Sequence, residues 1–395
     1  MHTAVAMVQE ILRPVSAQLD VRNARNLLLA VQALISARRL VLMELARYWP
    51  GAEWALAPLK RLDRLLGNRE VQAKRTRFYQ VAAAWMLRSQ AQPVLIVDWS
   101  ELKSDGRWHL LRAGMPMRGR TMTVYEEVHA EAKKNSRKVQ AAFLRQLKAL
   151  LPPGVCPIVI TDAGFQNPWF RELETLGWHW IGRVRHRTRF RWAEPTEGTW
   201  MRCKALHAQA SPRACSLGKV QLARRHPMSC RLVLVRRRKG RRVELTRYGK
   251  RAQSAHSRAM AASAKEPWLL AVSCSLNELS AAAIVCHYAK RMQIEQSFRD
   301  LKSHRYGCAF EDTLTRTAER LQMLLLIHML ATLAAWLAGL GATAEDSARV
   351  CTPSLAQAYS LLWIGWACLR RGAAFSSGPP MDASVSLAEL LVAFA

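Results

Sequence analysis

Residues 93–98 read Pro93-Val94-Leu95-Ile96-Val97-Asp98, and residues 157–162 read Pro157-Ile158-Val159-Ile160-Thr161-Asp162. Each is a short apolar run, rich in β-branched residues, that ends in an acid. Runs of this kind predict strands buried on both faces. Between them, Arg107–Ala113 and Thr121–His129 are predicted strands, with Gly114, Pro116 and Gly119 marking the turn. Lys138–Leu150 and Asn167–Leu176 are predicted helices.

Strand, strand, strand, helix, strand, helix places the chain in the α/β class. It is the opening order of an RNase H-like domain, although order alone carries no function. Residues 179–265 break the rhythm. Short strand-like runs, clearest in Met228–Val235, alternate there with dense positive charge (Arg183, Arg185, Arg187, Arg189, Arg191 and the Arg236–Arg242 turn). This predicts a β-rich insertion, with Ala252–Ala264 as a mobile loop. Pro267–Ser275 resumes a strand and Ala281–Lys302 reads as one long helix. The expected segments are a helical DNA-binding region over 1–90, core over 91–178, insertion over 179–265, core with the late helix over 266–310, and a helical C-terminal region over 311–395 with a possible pairing role.

The 395 residues carry 59 Lys plus Arg against 29 Asp plus Glu, a formal charge of +30. Half the residues are hydrophobic, which excludes wholesale disorder. The charge favours a polyanionic partner, nucleic acid before an anionic membrane surface. Nine cysteines without a Cys-x-x-Cys pair argue against a zinc ribbon or a disulfide scaffold. They fit reduced thiols and a cytoplasmic location. The N-terminus lacks the basic region and apolar core of a signal peptide. Met323–Gly341 is long enough to span a bilayer. Its His328 and Thr332, and the lack of a second such segment, favour a helix buried in a core or dimer interface, with no membrane partner.

Near the N-terminus, Leu59, Leu62, Leu65 and Leu66 form one helical stripe, closed by Gly67-Asn68 as a predicted C-cap. Lys60, Arg61 and Arg64 lie off the stripe, and Arg69, Lys74, Arg75 and Arg77 follow. Two readings stand, a solvated basic face and a helix that grips DNA phosphate.

Asp98 and Asp162 are the chemical candidates. Carboxylates at strand ends reach the rim of a sheet, and two of them can hold hard divalent cations through oxygen. Metal-assisted phosphodiester cleavage needs that arrangement. A third acid, Glu295, lies in the late helix. From Tyr288, the residues Arg291, Glu295 and Lys302 fall at about 300°, 340° and 320°, and Arg299 at about 20°. One helix face would therefore carry an acid among groups that touch phosphate. The alternative is a solvated helix with Arg291–Glu295 as an i,i+4 pair.

The set Tyr288-x2-Arg291-x3-Glu295-x6-Lys302, after Val-Asp-Trp-Ser at 97–100 and Thr-Asp-Ala-Gly-Phe at 161–165, resembles the DDE transposases of the insertion-sequence-four family. Within that family the likeness is to the branch of Tn-ten-type elements. It runs from about residue 20 to 340 and includes Arg61–Asn68, Ala264–Trp268 and Arg291–Glu295. The resemblance implies an RNase H-like core with a β-rich insertion, and a triad of Asp98, Asp162 and Glu295 binding two Mg²⁺ ions, for which Mn²⁺ can substitute. It implies DNA contacts by Tyr288, Arg291 and Lys302, with Arg299 beside them. Trp268 would stack on an extruded base with Met292 as a nearby wedge; a core aromatic at a strand start is the other reading of Trp268. The implied activity is cut-and-paste DNA transposition through a hairpin at the element's end. The implied partners are double-stranded DNA (terminal inverted repeats and target) and a second copy of the chain as a homodimer. The implied setting is a bacterial cytoplasm, on the nucleoid when DNA is bound. A non-catalytic DNA-binding relative is the rival from another class.

Overall fold

Apolar residues at helical spacing build the N-terminal region, and alternating or continuous apolar runs build the sheets. The fold is described from a computed structural model, for residues 3–185, 188–194, 198–237, 253–255, 266–344 and 360–371. Of the expectations above, residues 238–242 of the basic turn, most of the 252–264 loop, Ala264-Lys265 and much of the C-terminal region lie outside these. The chain divides into two compact units, Met1–Pro157 with Met292–Ala395, and Ile158–Arg291.

The first unit begins with helices α1 (Thr3–Ser16), α2 (Val21–Ala37), α3 (Leu42–Arg47), α4 (Leu56–Gly67) and α5 (Arg69–Leu87). Asp20 caps α2, accepting from the Arg22 amide at 2.9 Å. Gly67-Asn68 closes α4 as expected, with Asn68 at its C-cap. Gly67 is the last residue of α4, and Asn68 caps α5 by accepting from the Val71 amide at 3.1 Å. The side-chain cap lets the chain turn directly into the next helix. Leu62, Leu65 and Leu66 are buried, whereas Lys60, Arg61, Arg64 and Arg69 are exposed.

Strands β1 (Val94–Glu101), β2 (Trp108–Pro116) and β3 (Thr121–Ala130) follow as an antiparallel meander, then α6 (Arg137–Leu150). Strand β2 runs through Gly114 to Pro116, beyond its expected end, with the register shifting at Ala113/Gly114. The turn therefore begins later than Gly114 suggests.

The second unit holds β4 (Ile158–Thr161), α7 (Asn167–Thr175), β5 (His179–Val184), β6 (Arg189–Trp192), β7 (Met201–Arg202), β8 (Cys215–Leu222), β9 (Met228–Val235), β10 (Trp268–Val272) and α8 (Ala281–Ala289). Its strands lie in the order β4-β5-β10-β9-β8-β6-β7. The β4–β5 pair is parallel and the other pairs are antiparallel. The fold is mixed α/β, as expected, and its element order is consistent with an RNase H-like core.

The expected long helix Ala281–Lys302 is two helices. Helix α8 ends at Ala289, and α9 (Met292–Lys302) begins in the other unit. Lys290 and Arg291 close the first helix with tight bonds to His287 and Tyr288 carbonyls at 3.2 and 3.0 Å. Helix α8 packs on β8 and β9, while α9 packs on β1, β2 and β3. Burial against two different sets of strands overrides a local sequence without Gly or Pro. The shared face therefore holds for Glu295, Arg299 and Lys302, and Tyr288 is not on that helix.

Helix α10 (Ala318–Ala344) packs against α1, α2, α4, α5, β3 and α11 (Leu361–Arg371). It is long and apolar enough to cross a membrane, but its apolar window is entirely buried by protein. The buried-core reading of Met323–Gly341 fits this. Helices α10 and α11 touch backbone to backbone, and a Cβ on Gly365 would sit 1.5 Å from the Ala335 carbonyl oxygen. All eight described cysteines are free thiols, with Cys203, Cys230, Cys308 and Cys368 buried.

His328 lies on α10 and is 7% exposed. Burial, then the charges of Arg112 and Arg38, push its imidazole down to about 3. The unfolded chain takes up this proton near pH 6.5 and the folded chain does not. Stability is therefore intact above pH 6.5 and falls as the pH drops from there toward 3, by at most ~1.4 kcal/mol per unit. The opening free energies of α10 amides, read by hydrogen exchange at pH 7.5 and pH 5.0, should separate less in His328→Leu than in the wild type. Equal separation would remove His328 as the cause.

Candidate active site and DNA-facing residues

Asp98 is the fifth of eight residues in β1, inside the strand and not at its end as expected. Antiparallel pairing with β2 continues past it, from Asp98 opposite Arg112 to Glu101 opposite His109. Arg112 in turn faces Glu126 on β3. Directly opposed residues project from the same face of a sheet, so Asp98, Arg112 and Glu126 form one row. Arg112 and Glu126 are 1% and 0% exposed. Arg112 Nε donates to Glu126 Oε2 at 2.7 Å, and the Tyr79 hydroxyl donates to Oε1 at 2.9 Å. Arg75 donates to the Glu126 carbonyl at 3.0 Å and is itself buried. Arg75 is thus a core cation and leaves the basic run in which its sequence neighbours place it.

The face that carries this row also carries α9. The Arg112 guanidinium lies 5.2 Å from the centre of the Phe298 ring. The Thr121 amide donates to Ser297 Oγ at 2.8 Å, and Lys302 Nζ donates to the Glu101 carbonyl at 2.9 Å. Helix α9 therefore heads from the start of β3 toward the end of β1. Glu295 lies two turns before Lys302, about 10.5 Å along the helix. Asp98 lies three residues before Glu101, about 10 Å along the strand. Both carboxylates are half-buried on packed elements, set back similarly from one contact. Burial lowers the basicity of the Lys302 ammonium, partly opposed by Glu311 and Glu101. Arg299 is exposed, and Met292 is half-buried at the start of α9.

In the second unit, Asp162 directly follows β4, at a strand end as expected. Its Oδ1 accepts the Gly164 amide at 2.8 Å. A Cβ on Gly164 would come within 3.0 Å of that oxygen, so the glycine allows the close approach. Trp268 opens β10, half-buried, with its ring edge-on to Tyr288 at 4.9 Å and 78°. Arg237 lies over Trp268, its guanidinium 4.6 Å from the ring centre. Tyr288 is 2% exposed. Arg183 is half-buried nearby, its basicity lowered by burial, raised by Tyr288 and lowered by the positive charges of Arg185 and Arg291. The alternating arginines and Arg237 carried no assigned role in the sequence, and no sequence signal places Arg183 beside the Trp268–Tyr288 pair.

The structure thus gathers Asp98, Glu295 and Lys302 in one unit and Trp268, Tyr288 and Arg291 in the other. Within neither unit, among the described residues, do three His, Cys, Asp or Glu side chains group closely enough to hold a metal ion.

Residues 89–333 match the family described as Transposase DDE domain. The match covers more than half of the chain, and the chain belongs to that family. Asp98, Asp162, Glu295 and Lys302 all lie inside the matched span, while α1–α5 lie before it. No curated protein matches the chain. A similar solved structure is described as a piggyBac transposase synaptic complex with hairpin DNA. It covers 90% of this chain and 72% of that one, at 9% identity and a TM-score of 0.42.

Proposed function

We propose that this DNA transposase is a cut-and-paste enzyme of the insertion-sequence-four family, of the Tn-ten-type branch. The observation that supports the reading is the packing of α9, which carries Glu295, on β1, which carries Asp98, within the matched span. Asp98, Asp162 and Glu295 would hold two Mg²⁺ ions, with Mn²⁺ as substitute. The donor set fits, because all three supply carboxylate oxygen, the hard ligand these ions prefer. When bound, such a pair activates a nucleophilic oxygen and stabilises the leaving one. A hairpin at the element's end, and action as a homodimer on paired ends in a bacterial cytoplasm, belong to the same proposal. So does the five-segment organisation.

The chain's own residues have separable tasks. Lys302 is anchored on Glu101 by one of its three N–H groups and keeps the others for a phosphate. Arg299 adds an exposed positive charge on the same helix. Trp268 offers a ring to an extruded base once Arg237 leaves its face. Incubating the protein with DNA from the flanks of its coding region and Mg²⁺ tests the reading. Nicking at inverted repeats supports it; binding without nicking in the wild type would favour the non-catalytic relative.

A salt titration tests the phosphate role. In Lys302→Ala, binding to the DNA end should weaken, and the slope of log K against log salt should flatten by about one or less. An unchanged slope would confine Lys302 to its bond with Glu101.

A further inference from the structure

The first unit contains a cavity of about 340 Å³ that the catalytic reading does not use. It lies between the sheet face bearing Arg112, helix α9, helix α10 and helix α11. Ser297 and Asp300 line it from α9, at about 200° and 140° around the helix from Glu295. Arg299, at about 40°, reaches it from the side of Glu295 and is shared with the proposed DNA contact.

The wall is basic. Arg38, Arg112, Arg120 and Arg299 line it, against one acid, Asp300. Two of the four charges are already matched: Arg112 pairs with Glu126, and Arg120 pairs with Asp300. Arg38 and Arg299 have no carboxylate partner among the described residues. Arg38 lies at the end of α2 with a left-handed backbone, φ 57°, and its guanidinium stacks 4.1 Å over the Trp366 ring. Its Nη1 is buried without a hydrogen-bond partner among the described residues. The same holds for His328 Nδ1 and Thr332 Oγ1, on residues 7% and 6% exposed. Both of these side chains line the same cavity. Each buried unmet donor is unfavourable, and a charged one most of all. Arg38, His328 and Thr332 all line one cavity, so a small side-chain turn brings their unmet polar groups to an acceptor-rich anion there. At the wall, Tyr306 and Trp363 present exposed aromatic surface beside Arg299.

We propose that this cavity is a phosphate-binding site, with Arg38 as its principal charge and Thr332 and His328 as hydrogen-bonding partners. A phosphate oxyanion matches the guanidinium fork and offers enough acceptors for all three groups. The volume accommodates a phosphate or a mononucleotide. The proposal stands apart from the triad and does not require it.

Calorimetric titration of the full-length protein with inorganic phosphate, at constant ionic strength and pH 8, tests it. Constant ionic strength removes the diffuse response of a chain of net charge +30. The expected result is one saturable site. Arg38→Gln should raise its Kd tenfold or more, and Thr332→Val severalfold. Arg64→Gln, on the exposed basic face of α4, should leave it unchanged. If Arg38→Gln does not fold, Thr332→Val decides, and wild-type affinity in that variant overturns the site. Absence of saturable binding, or equal loss in Arg64→Gln, overturns it too. Thymidine monophosphate and a short single strand serve as competitors. Competition by either assigns the phosphate to a nucleotide or a DNA strand, and lack of competition assigns free phosphate; both retain the site.

Discussion

Asp98→Asn, Asp162→Asn and Glu295→Gln should each lower Mg²⁺-dependent nicking of an end-bearing duplex by about a thousandfold or more, ~4 kcal/mol of barrier. Binding of the same duplex should persist. The substitutions keep size and shape and remove only the negative charge. For Asp162 they also separate two roles. Its Oδ1 accepts the Gly164 amide, and an asparagine oxygen caps that turn equally well. A turn-capping Asp162 would therefore leave nicking intact in the Asn variant, whereas a metal-holding one would not. The same logic applies to Asp98, whose Oδ1 accepts the Trp99 amide at 2.8 Å. Cleavage at wild-type rates in any variant removes that residue from the triad. Gel-shift and nicking assays on one protein preparation give both readouts.

Much of this was legible in the sequence because strands and helix faces leave periodic traces. The β1 and β4 runs, the β-rich segment and the buried α10 could be read from apolar patterning alone. Three features could not. The break at Lys290–Arg291 has no local breaker; β8 and β9 bury one half of the helical sequence, and β1, β2 and β3 bury the other. Asp98 looked terminal because the apolar run is interrupted there; pairing with β2 carries the strand on through Trp99-Ser100-Glu101. Arg75 read as part of a basic run, and nothing local reveals that Arg75, Arg112 and Glu126 meet one another. Long-range pairing of charged residues removes the composition signal on which sequence reading depends.

That buried pair gives the second large effect. Arg112→Met should destabilise the first unit by about 3–5 kcal/mol, because it leaves Glu126 charged and unpaired in the interior. Two units need not unfold together, so a single melting curve is the wrong measure. Hydrogen exchange of β2 and β3 amides reads the local opening, which should rise at least a hundredfold for a loss of ~3 kcal/mol. The double variant Arg112→Met, Glu126→Leu should recover most of it, since no buried charge is left without its partner. Recovery will be incomplete, because the Tyr79 hydroxyl loses its acceptor. Adding Tyr79→Phe should restore the rest. If the double variant is as unstable as the single, the ion pair is not what holds the row together. Glu126→Leu alone is the most telling variant for function. It frees the Arg112 guanidinium one strand from Asp98, on the same face. A positive charge there competes for the carboxylate that the proposed metal site needs. Nicking should then fall in Glu126→Leu and return in the double variant, while Arg112→Met, comparably destabilised but without a free guanidinium, should lose less; an equal loss in both single variants would make the role of the pair purely structural.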